Sequence, residues 1–394
     1  MKKFKTLLIG LALTFSSTAA LAANEITIGV LGVMSGAAAS WGLVNRYSAE
    51  ATANMYNAKG GIEIDGTKYK IKIVSIDEKN DPKLAVTGAE RMTSQGIKYI
   101  IGPNIDSTAT SIAPVVERAG AMHFPYAFSK ALYLPPKGSS VLGMIASYQA
   151  GPTIYKYLKD TKGIKTVSFV ARNEADSLNQ QKEGVAGAKL VGLRVRQSKA
   201  TYEPGTVDFF PVVSRLVRGK RAPDLLVLSG VSPGDAPLIL KAARELGFKG
   251  FISTETAQDI NILNQAAGSA ADGFISVGGA STPSISSKYM NTFRKEYVKV
   301  AGEWNDEAGT KVYALEIILR TLQKAGAEAI EDTSKFRTAM DSFDVVNPFI
   351  KGGNERLVFT GSTYFKQKRQ IGIPMVVNEV RNGKFETLFI GSVE

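Results

Sequence analysis

The stretch "EITIGVLGVMSGAAASWG", Glu25 to Gly42, sets the reading of this chain. An apolar, β-branched run enters a loop of Gly, Ser and Ala, and Trp41 sits just beyond it. A strand that ends in a small-residue loop before a helix is the opening of a β-α unit. The spacing predicts a helix over 45–61, "NRYSAEATANMYNAKGG", closing on two glycines. Residues 69–77 alternate as a strand. Asp81 and Pro82 form the N-cap and first-turn pair of a helix that closes at Gly96. "YIIGP" (99–103), a helix through "SIAPVVERAG" and "AMHFPY" follow. A β-α-β-α series of this kind specifies a parallel sheet with helices on both faces.

The pattern restarts after a break near 143–149. Helices at 151–163, 177–192, 208–219 and 235–247 alternate with strands at 165–172, 193–201, 224–230 and 250–254. After "GFISVGGASTP" (273–283) come two long helices, within 287–302 and 307–326, and then an alternating tail with an Asn382-Gly383 turn. No short-period repeat is present, which argues against a solenoid. The fold class is therefore α/β, in two blocks.

The first 22 residues read as a secretory leader. Lys2, Lys3 and Lys5 precede the apolar run Leu7–Phe15, and Ala20-Leu21-Ala22 has the A-x-A cleavage pattern. The run is too short to span a bilayer. No Cys follows, so lipid attachment at the cleavage site is not expected. A periplasmic protein is. Zero Cys also removes thiol catalysis and Cys-based metal sites. The remaining roughly 370 residues exceed what one core usually supports, so two lobes are expected. The net charge is +12, with three of the lysines in the leader. The other basic residues are scattered ("KDTKGIK", "RLVRGKR", "FKQKRQ") rather than focused, which argues against a nucleic-acid partner.

Over its mature length the chain resembles the periplasmic solute-binding proteins of the Leu/Ile/Val-binding type, components of ATP-driven importers. The resemblance rests on "IGVLGVMSGAAASWG", "ANMYNAKGGI", "DEKNDPKLAVTGAERM", "YIIGP", "APVVERAG", "GTVDFFPVVSRL", "LKAARELGF" and "AADGFISV", in this order and spacing. It implies a type I two-lobe fold with three crossovers, near Ile145, Gly279 and Thr360. Lobe one would hold 24–145 and 280–360, and lobe two 146–279 and 361–394. The lobes would close like a hinge on a small-molecule ligand, and the closed form would engage a membrane permease. A monomer without cofactor or metal is expected.

Ligands of open α/β sheets sit outside the carboxyl ends of the strands. Four such places are candidates. The first is the loop with Ser35, beside Trp41, whose indole can cover a ligand; a core Trp is the plainer reading. The second is the helix start at Asp106 and Ser107, where free N–H groups attract anions. The resemblance places a Ser at the position of Asp106, to hold a ligand carboxylate; a carboxylate there fills or repels that place, or serves as an ordinary N-cap. The third is Ala127, Phe128 and Ser129, with Tyr126, which would make the pocket apolar and flat or simply pack the core. The fourth lies on lobe two. The resemblance aligns Glu255 with an acid that pairs with the ligand ammonium, while Asp176 and a position near Ser232 fall where it implies tyrosines.

Asp106, Asp176 and Glu255 around one cleft would repel one another unless ligand donors lay between them. A donor-rich ligand, an amino acid or a related amine or amide, is thus expected, with a plain Leu-like ligand as the rival. A sensor of aromatic or other small organic compounds that presents its closed form to a receptor is the alternative. Catalysis is not expected. The single His123 sits in a strand-like segment, and the Walker, dinucleotide and H-E-x-x-H patterns are absent.

Overall fold

The computed structural model describes residues 24–219 and 222–391. The expected leader lies outside the described residues. Two principal sheets organise the chain. The first runs in the order Ile62–Ile64, Thr67–Asp77, Glu25–Gly32, Tyr99–Ile101, Met122–Phe124. Its pairings are parallel except at the outer Ile62–Ile64 hairpin strand. The second runs Lys384–Gly391, Met375–Arg381, Phe274–Gly278, Phe251–Ala257, Leu225–Ser229, Thr166–Arg172, Arg194–Tyr202. Its last five members are parallel, and the two tail strands are antiparallel. Every residue of Thr166–Arg172 and Leu225–Ser229 is buried. That is the consequence of helices covering both faces of a parallel sheet.

Local chemistry places several elements where the sequence predicts them. Asp81 caps the Pro82–Ser94 helix, accepting from the N–H of Lys83 at 2.7 Å and of Leu84 at 3.4 Å. Others shift. The first helix spans Ala39–Asn57, starting six residues before the predicted 45, so Trp41 lies in its first turn rather than in a loop. Gly42 explains the difference. Its N–H donates to the Val33 carbonyl at 3.0 Å, and a Cβ there would collide with that same carbonyl. Glycine at this point lets the helix dock directly on the strand end; its place in the sequence looks like more loop. The predicted helix over 307–326 is interrupted at Val312, giving Ala308–Lys311 and Tyr313–Ala325.

One continuous core joins residues of the first sheet and its connections, through Tyr148, to side chains from Ala280 to Ile371. Phe365 and Ile371 belong to this core. The chain therefore leaves the first body after the short strand Gln370–Gly372, about ten residues later than the crossover expected near Thr360. The crossing is tied to the one near Ile145. The Gln370 Nε2 donates to the Met144 carbonyl at 2.9 Å and to Gln149 Oε1 at 2.8 Å.

Candidate functional site

The carboxyl ends of both sheets face one cleft. From the first body, Asn104 follows Tyr99–Ile101, and Tyr126 and Phe128 follow Met122–Phe124; Trp41 stands beside them. From the second, Thr256 and Ala257 end the Phe251–Ala257 strand, and Asp176 and Gln180 open the Ala175–Leu190 helix. Met144, Glu307 and Lys311 complete the wall. The gap between these groups is a narrow cavity of about 30 Å³. That is room for one or two waters with the lobes as close as they stand. A larger, open depression of about 790 Å³ runs along the outer edge strand, near Arg194, Lys199 and Arg215, and shares no lining residue with the cleft.

Trp41 is 9% exposed and packs on Val33, Ala38 and Ile105. Its carbonyl accepts from Asn104 Nδ2 at 3.3 Å, and Asn104 Oδ1 accepts from Asn45 Nδ2 at 2.9 Å. The indole is thus fixed by both packing and main chain, with its remaining surface on the cleft.

Asp106 does not cap its own helix. Its Oδ1 accepts the N–H of Phe128 at 2.6 Å and of Ser129 at 2.8 Å, across 22 residues of chain. Its Oδ2 accepts from Asn179 Nδ2 of the opposite lobe at 3.3 Å, and its own N–H reaches Asp176 Oδ1 at 3.4 Å. Asp176 Oδ2 accepts from Gln180 Nε2 at 2.9 Å. Burial raises both carboxyls above the ordinary range. The Ser129 and Phe128 N–H groups pull Asp106 back, whereas the Asp106 charge pushes Asp176 further up. Two carboxyls this close and this buried favour sharing a proton over ionising together.

Glu255 lies elsewhere. It is fully buried behind the cleft, where the Tyr155 hydroxyl donates to it and where Gly151 and Gly184 leave it space. Burial pushes its carboxyl up to about 7. The reason is strand alternation: Thr256 faces the cleft, so its neighbour faces the helices. Ser232 is also buried outside the cleft wall, its main-chain carbonyl starting the Ala236–Glu245 helix. Ser35 is exposed and bonds Asp77; Ala127 is buried, its carbonyl accepting from the Tyr133 hydroxyl at 2.8 Å. Ser107 and Ser129 are half-buried beside the cleft without lining it. Of the ten expected site residues, then, Trp41, Phe128 and Asp176 form the wall itself, with Asp106 directly behind them.

Glu307 and Lys311 were not among the expected site residues. They stand one turn apart at the start of a late helix whose apolar neighbours mark it as core. Glu307 is 1% exposed and accepts from Ser40 Oγ at 3.0 Å; burial raises it to about 7. Lys311 is 5% exposed, and burial lowers its ammonium to about 8, with Glu307 opposing that shift. The signal available was a Glu and a Lys one turn apart in a helical segment otherwise rich in Ala, Val, Leu and Ile.

A sequence profile described as a periplasmic binding protein matches residues 25–384. The chain belongs to the periplasmic binding protein family. The Leu/Ile/Val-binding protein of Escherichia coli K12 is 31% identical over 281 residues, 69% of this chain and 72% of that one. Among solved structures, the Leu-, Ile-, Val-, Thr- and Ala-binding protein of Brucella ovis in its closed conformation superposes with a TM-score of 0.77 at 21% identity, covering 94% of this chain and 96% of that one. A solute-binding protein of Rhodopseudomonas palustris in complex with 4-hydroxybenzoate gives 0.75 at 17% identity, covering 94% and 97%. At these identities the superpositions show the fold, which is the type I periplasmic binding fold. The chain is a binding protein of the Leu/Ile/Val-binding type and not an enzyme. His123 fits that conclusion. It is fully buried, its Nε2 lies 2.6 Å from Ser140 Oγ, and burial lowers it to about 3, too low for acid–base work near neutrality. Among the described residues no helix is long and apolar enough to cross a membrane.

Proposed function

We propose that the protein captures a small amino acid, or a close relative of one, between its two lobes outside the cytoplasm and delivers it to an ATP-driven membrane importer. The observation that carries this is the composition of the cleft wall. Trp41 and Phe128 offer apolar plates, Asp176 and Glu307 offer acids, and Lys311 offers a cation, all outside the strand ends. A molecule with an apolar body and both charge signs matches that wall. The names of the relatives, which bind Leu, Ile and Val, support the same class. With Glu255 behind the cleft, a purely cationic ligand loses its main support.

Binding is coupled to closure because each lobe supplies half of the wall. A ligand shifts the open–closed equilibrium only through its differential affinity for the closed form. A micromolar ligand supplies about 8 kcal/mol, enough to hold a hinge whose opening costs a few. The test is a thermal-shift screen of aliphatic amino acids, their amides and amines, and aromatic acids, followed by calorimetry and solution scattering of the best ligand. An aliphatic amino acid that raises the melting temperature and compacts the particle is the expected result. Scattering curves unchanged by every tight ligand would reject capture by closure.

A further inference from the structure

We propose that Lys311 is the anion receptor of the cleft: the ligand carries a carboxylate that sits on the Lys311 ammonium beside Tyr126, and not at the start of the Asp106–Arg118 helix. The inference rests on the solute-binding reading above and specifies what that site recognises.

Two places at the cleft qualify for an anion, one by paired main-chain N–H groups and one by charge. The first is the pair of main-chain N–H groups at Phe128 and Ser129. They point at Asp106 Oδ1, at 2.6 and 2.8 Å. That acceptor belongs to the protein, so these donors are already satisfied. A ligand carboxylate brought there would also meet Asp176, whose Oδ1 already faces the Asp106 N–H. Like charges in a buried space oppose each other, so the helix start is closed to anions.

The second place is Lys311, the one cationic side chain among the described residues of the wall. An ammonium has three N–H donors and no acceptor. Here its Nζ contacts the Met144 sulfur at 3.4 Å, a weak acceptor, and stands 3.8 Å from the centre of the Tyr126 ring. The ring face stabilises a cation without using its N–H groups. No ion pair to Lys311 exists among the described residues, although Glu307 lies one turn away. The Glu307 charge supports the ammonium at a distance but does not take up its N–H groups, and a buried ammonium is ordinarily hydrogen-bonded as well as paired. A carboxylate from outside the chain supplies that pair.

The acceptors lie with the opposite lobe. Gln180 Oε1 is buried, belongs to a residue that lines the cleft and has no partner among the described residues, while its Nε2 is held by Asp176. An ammonium or hydroxyl on the same ligand would find acceptors there. The ligand class is thus a compact amphoteric carboxylate with an apolar body against Trp41 and Phe128.

The experiment is calorimetry of the full mature chain against matched sets. Each set holds an amino acid, its amide, its decarboxylated amine and its des-amino acid, for Leu, Ile, Val and Phe. The wild type should prefer the acids over the amides and amines by at least about thirtyfold. Lys311→Met, similar in length and uncharged, should erase that preference. Lys311→Gln does the same if the Met variant fails to fold, and Lys311→Arg should retain most of it. If Lys311→Met and Lys311→Gln bind the acids as tightly as the wild type, Lys311 is structural and the proposal falls, while the solute-binding reading stands. A wild type that binds amides or amines as well as the acids also overturns the proposal and leaves that reading intact. A wild type that binds no member of the panel overturns both.

Discussion

The main-chain N–H of Asp106 donates to Asp176 Oδ1 at 3.4 Å, from the start of one lobe's helix to the start of the other's. With the Asn179–Asp106 bond beside it, this is a direct polar latch across the cleft. It places two buried carboxyls together at the moment of closure, which makes closure sensitive to protons.

Opening the cleft would return Asp106 and Asp176 to water and to ordinary carboxylate behaviour. In the closed form burial raises both, Asp176 the more strongly, with Arg172 a minor opposing charge. An acid with a raised pKa holds its proton more tightly in that form. Closure is therefore favoured in acid and weakens as pH rises out of the ordinary carboxylate range. Scattering of the ligand-free protein between pH 4.5 and pH 8, on the order of one carboxylate range upward, should show expansion with rising pH. Asp176→Asn should flatten the trend, and an unaltered trend in that variant would show that other groups drive it.

Trp41 holds an apolar plate at the cleft with its main chain anchored by Asn104. Trp41→Ala should weaken the best ligand by about tenfold to a hundredfold, the loss of 1.4 to 2.8 kcal/mol of contact. It should also lower stability, because the indole packs on Val33, Ala38 and Ile105. Trp41→Phe should recover much of both. Affinity that survives Trp41→Ala would place the ligand elsewhere.

Asp106 can be separated from its neighbours by two substitutions. Asp106→Ala leaves the N–H groups of Phe128 and Ser129 without their acceptor, at a cost of about 1–3 kcal/mol for a buried group. The melting temperature should fall by several degrees, on the scale that such losses produce. Asp106→Ser removes the charge and frees the same donors for a ligand. Carboxylate ligands should then bind more tightly than to the wild type, a gain that calorimetry reads directly. Equal weakening in both variants would mean that the carboxylate of Asp106 itself serves the ligand.

Glu255 gives a stability test independent of ligand. Its carboxyl moves from an ordinary value of 4.5 to about 7 on burial against Tyr155, so its contribution is fully present below about 4.5 and lost as pH rises through about 7. The difference is on the order of 3 kcal/mol, at 1.36 kcal/mol per unit. Denaturant melts at acid and at mildly alkaline pH should show it in the wild type. Glu255→Gln, which can still accept from Tyr155, should lose most of that pH dependence; retention of it would assign the titration to the other raised carboxyls, Glu78, Asp176 and Glu307 among them.

Much of the architecture was readable in the chain. Asp81, Pro82 and Gly96 bracket a helix because capping is local chemistry. The alternation of strand and helix gives a parallel α/β sheet because a crossover needs a helix. Trp41 was legible as a cleft candidate, though not as a helix residue, since Gly42 acts through contact with Val33 and not through its sequence neighbours.

What the sequence by itself determined is most of the strands and the two-block α/β plan, which follow from local propensity and periodicity; the Phe251–Ala257 strand runs three residues past its expected end, and Ile62–Ile64 was not expected. Tertiary structure alone decided which side of a strand end meets the other lobe. Glu255 and Thr256 are adjacent, yet one points at Tyr155 and the other at the cleft, because a strand exchanges faces at every residue. It also decided that Lys311, far along the chain, stands over Tyr126. A charge becomes a recognition element only when folding strips its water and withholds a partner, and that depends on packing between segments that no local pattern records.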